Sequence, residues 1–211
     1  MEIFPGVCLL DVCIARAFGY IFQMASLNVL ENIKIAGKLS DAEYALLTSR
    51  MESRTIEKGV HFLEIGKVNR ELGFVEQGLA MYYRIINDEE VPVDFAIEGN
   101  WVSYLKSFND QSPADLGIRM LEDTRVHCIS FSNLQQLFTE HPKFMALKTY
   151  YVEQSMMDMA QHSADLATLD ARERYYKFMK EKPQLINRVP QYYIAAYLGI
   201  KPQSLSRIRK G

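Results

Sequence analysis

The residues best equipped for chemistry in this chain crowd toward its far end. Lys201, Gln203, Ser204, Arg207, Arg209 and Lys210 follow one another closely. An arginine such as Arg207 presents a planar fork that can bridge two acceptors on guanine, and Gln203 suits adenine or a phosphate. Ser206 and Lys210 suit backbone phosphates. Any one of these alone reads as a solvated helix surface. Together they coincide with a sharp charge asymmetry. Residues 170–211 hold 10 Lys+Arg against 3 Asp+Glu, a net of +7, whereas residues 1–169 hold 14 against 23, a net of −9. The overall −2 conceals an acidic body with a basic end, which points to a polyanionic partner, double-stranded DNA.

Other chemistries find less support. Cys8, Cys13 and Cys128 are too few and scattered for a disulfide framework, which fits a reducing cytoplasm. Cys8 and Cys13 lack the second pair that a tetrahedral site needs, and His61, His127, His141 and His162 show no ligand spacing. No metal and no cofactor is expected. His61 and His127 lie in strand-like runs and read as packing or surface residues. There is no Ser/His/Asp or Cys/His arrangement, no HExxH and no phosphate-cradling glycine loop, so an enzyme is not expected. Glu89-Glu90 lies in a turn-like stretch and reads as solvated. With 48% apolar and 24% charged residues the chain is typical of a globular protein. No uncharged run reaches the ~18 residues of a membrane helix, so no membrane partner is expected.

The elements that must position these residues can be read along the chain. Residues 1–24 are set apart as an N-terminal extension. They are rich in apolar residues interrupted by Asp11 and Arg16, and Met24 offers a more conventional start. A short helix is expected from Ala25 to Ile35. Ser40-Asp41-Ala42-Glu43 is a capping box that opens a helix through about Met51. From 54 to 98, short β-prone runs alternate with turn signals: Lys58-Gly59, Gly66-Lys67, Gln77-Gly78, Asn87-Asp88 and Glu98-Gly99. Gly73–Glu76, Ala80–Ile86 and Pro92–Ile97 are strand-length, and two more strands follow near Leu116–Leu121 and Val126–Phe131. This spacing predicts an antiparallel sandwich or jelly roll.

After Ser132, which can cap a short helix through Phe138, the period turns helical. One long helix is predicted from Pro142 to about Leu169, with Met145, Val152, Met159 and Leu166 seven apart and Met156 on the same flank. That seam suits pairing with an identical helix, and packing on the chain's own sandwich fits the spacing equally. Ala171–Lys182 is a basic helix ended by Pro183. Pro190–Leu198, the Gly199 turn and Gln203–Lys210 then form a helix-turn-helix, with Ile194, Leu198, Ile200, Leu205 and Ile208 at the packing positions. Ala195 keeps the helix crossing close.

At these residues the chain resembles the Crp/Fnr transcriptional regulators, from about Ala25 onward. The resemblance rests on Phe74-Val75-Glu76-Gln77-Gly78, on Leu121-Glu122-Asp123 and on Ala171-Arg172-Glu173-Arg174-Tyr175. Most specifically, it rests on Val189 to Ile200 followed by Leu205-Ser206-Arg207-Ile208-Arg209. It implies an α+β protein. Residues 25–141 form an antiparallel, cyclic-nucleotide-binding-like β-roll, 142–169 a dimerisation helix, and 170–211 an all-α helix-turn-helix domain lacking most of the family's wing. It also implies a homodimer on a palindromic DNA site, a small-molecule effector, and RNA polymerase as a further partner.

The family's phosphate-binding cassette is degenerate here. An ungapped match puts Ser103-Tyr104 where Gly-Glu belongs and Ala114-Asp115 where Arg-Ser belongs. Ala114 offers no donor, and Asp115 sets a negative charge beside the anion's place. Each lost charge-assisted bond costs ~1.5–3 kcal/mol, so a response to cyclic AMP in the usual pose is not expected. Lys106 and Arg119 have no spacing that supports a rescue. Trp101, Tyr104 and Phe108 can line an apolar pocket, although a plain core role is the favoured reading. The alternative to a DNA-binding regulator is a small-molecule-binding or protein-interaction module of the same fold.

Overall fold

The computed structural model describes residues 29–210. The expected extension at 1–24, Cys8, Cys13 and the first part of the helix expected from Ala25 lie outside the described residues. The rest of that helix is α1 (Glu31–Ala36), followed by α2 (Asp41–Ser49). The capping box at the start of α2 is complete: the Ser40 N–H donates to the Glu43 carboxylate at 2.7 Å, and the Glu43 N–H donates to Ser40 Oγ.

Eight strands then form two antiparallel four-stranded sheets: β1 (Glu52–Ile56), β2 (His61–Leu63), β3 (Glu71–Gln77), β4 (Ala80–Ile86), β5 (Glu89–Ala96), β6 (Trp101–Val102), β7 (Gly117–Met120) and β8 (Thr124–Ser130). The orders are β1-β8-β3-β6 and β2-β7-β4-β5. A helix, α3 (Leu105–Asp110), lies between β6 and β7. Asn87 and Asp88 both adopt positive φ in the two-residue β4–β5 turn, the conformation that matches strand twist. At Gly78 (φ 113°) a Cβ would come within 2.5–2.8 Å of Thr124, so only glycine fits.

Alternation along the strands divides the apolar residues among three clusters. Ala80, Val75, Ala96, Ile118 and Val126 fill the inside of the roll. Phe74 and Ile129 face outward beneath α1, α2 and two further helices, α4 (Phe131–Glu140) and α5 (Lys143–Thr168). Met81, Tyr83 and Phe95 face outward from the other sheet into a third cluster, shared with the C-terminal helices. Those helices are α6 (Ala171–Glu181), α7 (Gln191–Tyr197) and α8 (Pro202–Lys210), with a 3-10 turn at Pro183–Leu185. The basic module therefore completes its core with the roll's outer face.

Three expectations need correction. The cap of α4 is Ser130, whose side chain accepts from the Asn133 N–H, and not Ser132, because pairing with β3 carries β8 only as far as Ser130. Pro190 is the N-cap of α7 and not its first helical residue. Val152 does not share the exposed face of Met145, Met156, Met159 and Leu166; it is half-buried on the wall of a cavity beside the roll. No described helix is long and apolar enough to cross a membrane.

Candidate nucleic-acid interface

The turn between α7 and α8 is built from the sequence Leu198-Gly199-Ile200. Gly199 takes φ 62°, and the N–H groups of Gly199 and Ile200 donate to the carbonyls of Ala196 (3.0 Å) and Ala195 (2.8 Å). This is a Schellman closure, which needs a left-handed residue just past the helix. Arg174 of α6 donates to the Leu198 carbonyl at 2.7 Å and also reaches the Leu169 and Gly199 carbonyls. Its charge is thus used to finish helix ends. Asp170 caps α6 in a second capping box with Glu173. Ala195 is completely buried, as the close crossing requires, with Ile194, Leu198, Ile200 and Leu205 buried around it and Ile208 packed against them.

On α8, Leu205 and Ile208 face inward, so residues half a turn away face outward. Helical spacing places Gln203, Ser206, Arg207 and Lys210 together on the outward face, and all four are exposed. Lys201 is exposed just ahead of the helix. Arg209 is exposed on one flank, while Ser204, on the other, is half-buried. The expected set is therefore brought together except for Ser204, and Ser206 takes a more central place than its neighbour. Among the described residues, no ion pair neutralises Lys201, Arg207, Arg209 or Lys210.

Other cations of the same module are spent internally. Arg188 donates to Glu122 (2.7 Å), to both Glu98 oxygens (2.9 Å each) and to the Gly78 carbonyl (2.9 Å). The Glu122 and Glu98 carboxylates hold its pKa above the ordinary arginine range. Lys177 pairs with Asp165 at 2.6 Å, and Lys182 donates to the Tyr197 hydroxyl with Asp94 at 3.8 Å. Glu90, expected to be solvated, accepts from Arg119 and from the Tyr193 hydroxyl at 2.8 Å, tying β5 and β7 to α7. Arg119 is committed there and is no free anion ligand. These anchors join residues 66 to 110 positions apart in several cases, and no local spacing announces them.

The residues matched to the family's cassette are divided in the structure. Asp115 accepts from the Tyr104 hydroxyl at 2.7 Å and pairs with Arg84 at 3.1 Å. The Tyr104 bond, with Arg84 beside it, lowers the Asp115 pKa. Here the chain's own carboxylate takes up the Tyr104 hydroxyl and one Arg84 nitrogen. Ala114 is buried, with its N–H donating to the Lys67 carbonyl. Trp101 and Ser103 lie elsewhere, on the wall of a cavity between the roll and the helices α2, α3, α4 and α5; Phe108 is buried beside it. The Ser103 hydroxyl is bonded to Asn69 at 2.6 Å. His61 bonds Tyr83 and His127 bonds Glu76, so both histidines are structural. Among the described residues, no cluster of His, Cys, Asp and Glu could hold a metal ion.

No family model matches this sequence, and no curated protein matches it significantly. Solved structures do. The c-di-GMP-responsive global regulator CLP of Xanthomonas campestris is 17% identical, with a TM-score of 0.65 over 81% of this chain and 90% of that one. FixK2 of Bradyrhizobium japonicum is 16% identical, with a TM-score of 0.66 over 76% and 83%. A transcriptional regulator of the Crp/Fnr family from Eubacterium rectale is 13% identical, with a TM-score of 0.62 over 82% and 83%. At such identities the likeness is one of architecture: this chain has the β-roll, long helix and helical C-terminal module of the Crp/Fnr fold.

Proposed function

We propose that this chain is a sequence-specific DNA-binding regulator of transcription that acts as a homodimer and does not answer to cyclic AMP. The observation that carries the reading is the outer face of α8. Gln203, Arg207 and Lys210 stand exposed together, with Lys201 and Arg209 beside them, and no ion pair neutralises these cations among the described residues. A helix held by its inner residues and presenting such a face has the form of a major-groove reader. The likeness in fold to a transcriptional regulator agrees with this reading, which rests on the site itself.

The dimer rests on α5. Met156 and Met159 are 64% and 68% exposed, with Met145 and Leu166 also open, a larger apolar display than an isolated helix surface keeps in water. Two copies paired there would present two α8 helices to half-sites about one helical turn apart. The cassette supports independence from cyclic AMP because Asp115 occupies Arg84 and Tyr104.

Selection from a random duplex pool at two salt concentrations tests the reading, with Arg207→Ala beside the unmodified chain. A palindrome enriched by the unmodified chain and lost by the variant is the expected result. Weak, unpatterned binding that Arg207→Ala leaves unchanged would favour a ligand-binding module without DNA recognition. Light scattering should give twice the chain mass, falling to one with Met159→Glu.

A further inference from the structure

The open side of α5 carries a finer pattern than a plain apolar stripe. Met145, Val152, Met159 and Leu166 are seven apart, and Thr149, Met156 and Ser163 each follow four residues after one of them. Steps of four and three in alternation are the two core positions of a coiled coil. Met145, Met156, Met159 and Leu166 are all exposed, and Val152 is half-buried between them. The Thr149 hydroxyl donates to the Met145 carbonyl at 2.9 Å, so its polar group is satisfied within the helix. The competing row through Lys148, Ser155 and His162 does not serve. Lys148 and Ser155 are polar and line the cavity, and His162 is stacked on Tyr197.

That phase also sets the flanks. One flank is Lys148, Ser155 and His162; the other is Ala146, Glu153, Ala160 and Ala167. In a parallel pair, each residue of the first flank meets the residue five positions further along the partner's second flank. Ser155 and His162 then meet alanines, whereas Lys148 meets a glutamate. This is the single charged crossing, its signs are opposite, and a two-fold axis makes it twice. Glu153 is exposed, and neither it nor Lys148 is in an ion pair among the described residues. Lys148 donates to Asn109 at 3.5 Å, and an ammonium has two further protons to give. An antiparallel pair would set Lys148 against its own flank, which holds no carboxylate.

We propose that α5 docks on α5 of a second copy of this chain, parallel and in register, and that Lys148 paired with the partner subunit's Glu153 fixes the register and selects the partner. The proposal rests on the dimer reading above and adds orientation, register and choice of partner to it. Parallel pairing carries both basic modules to one end of the dimer, as two half-sites require. A chain of the same fold with a cation in place of Glu153 would set like charges together and be rejected.

Sedimentation of the full chain at low salt tests this, with Lys148→Glu, Glu153→Lys and the double variant beside the unmodified protein. Each single variant sets like charges together at both crossings and should weaken the dimer about tenfold or more. The double variant should regain the dimer. An equimolar mixture of the two single variants, one carrying a mass tag, should form the mixed dimer in preference to either homodimer, because unlike charges again face each other. Repair by mixing also shows that each single variant folds. Dimers unaffected by either single variant overturn the proposal. So does a weakening that neither the double variant nor the mixture repairs. An unmodified chain that stays monomeric defeats the dimer reading itself, and the proposal with it.

Discussion

The C-terminal module uses its positive charge in two opposite ways. Within the fold, Arg174, Lys177, Lys182 and Arg188 are matched to carbonyls and carboxylates of the module itself, of the long helix and of the roll, and Arg188 alone gathers Glu98, Glu122 and the Gly78 carbonyl. On the α8 side, Lys201, Arg207, Arg209 and Lys210 have no such partners among the described residues. A net charge of +7 therefore overstates what the module can offer an anion. Part of it holds the fold together, and only the outer part is available for recognition.

The largest effect that tests this division is Arg188→Ala. It leaves Glu98 and Glu122 facing each other without their shared cation, and about 3 kcal/mol of stability should go, after allowing for partial solvent access. For a chain of this size that is a fall of roughly 6–12 °C in the thermal midpoint, readable by calorimetry. The duplex sequence selected by the variant should not change. An unaltered midpoint, or a lost sequence preference, would break the comparison.

Arg207→Ala should do the reverse. It should cost about 2 kcal/mol, some thirtyfold in affinity for the selected site, with an unchanged thermal midpoint. Lys210→Ala should be milder, weakening all duplexes alike and reducing the salt slope of binding by about one.

The smallest effect concerns His162, at the seam of the two regions. It stacks on Tyr197 at 4.2 Å, with Lys182 just past α6, Asp94 of β5 and Asp158 and Asp165 of α5 around the same junction. Burial, helped by Lys182, lowers its pKa below the ordinary 6.5. The unfolded chain then takes up a proton first as the pH falls below 6.5, so the His162 contribution to stability declines until the lowered pKa is passed. Denaturant melts between neutral pH and mild acid should show this slope in the unmodified chain and less of it in His162→Gln.

What was legible in the residues followed the range of the interaction. The capping box at Ser40, the glycine turn at 199 and the buried Ala195 depend on neighbours a few positions away, and each stood where its local chemistry put it. Ser132 was a reasonable cap on the same grounds, and it lost to Ser130 because a partner strand decided where β8 ends. Glu90 looked solvated because its partners, Arg119 and Tyr193, lie 29 and 103 positions on. The outward face of α8 was nearly complete, because helical period alone sorts it. The cavity was not readable: Trp101 was visible as an aromatic, but not that α4 and α5 would come to lie over it.

The shared core has a consequence for synthesis. Met81, Tyr83 and Phe95 of the roll are covered by Tyr175, Phe178, Tyr193 and Tyr197, which lie some eighty to one hundred and fifteen residues downstream. A nascent chain that has completed all eight strands still carries an open apolar sheet face until the last helices leave the ribosome. Premature termination anywhere in the basic module would leave that face exposed and adhesive, so shortened products should be lost to aggregation or proteolysis rather than accumulate as roll-only competitors.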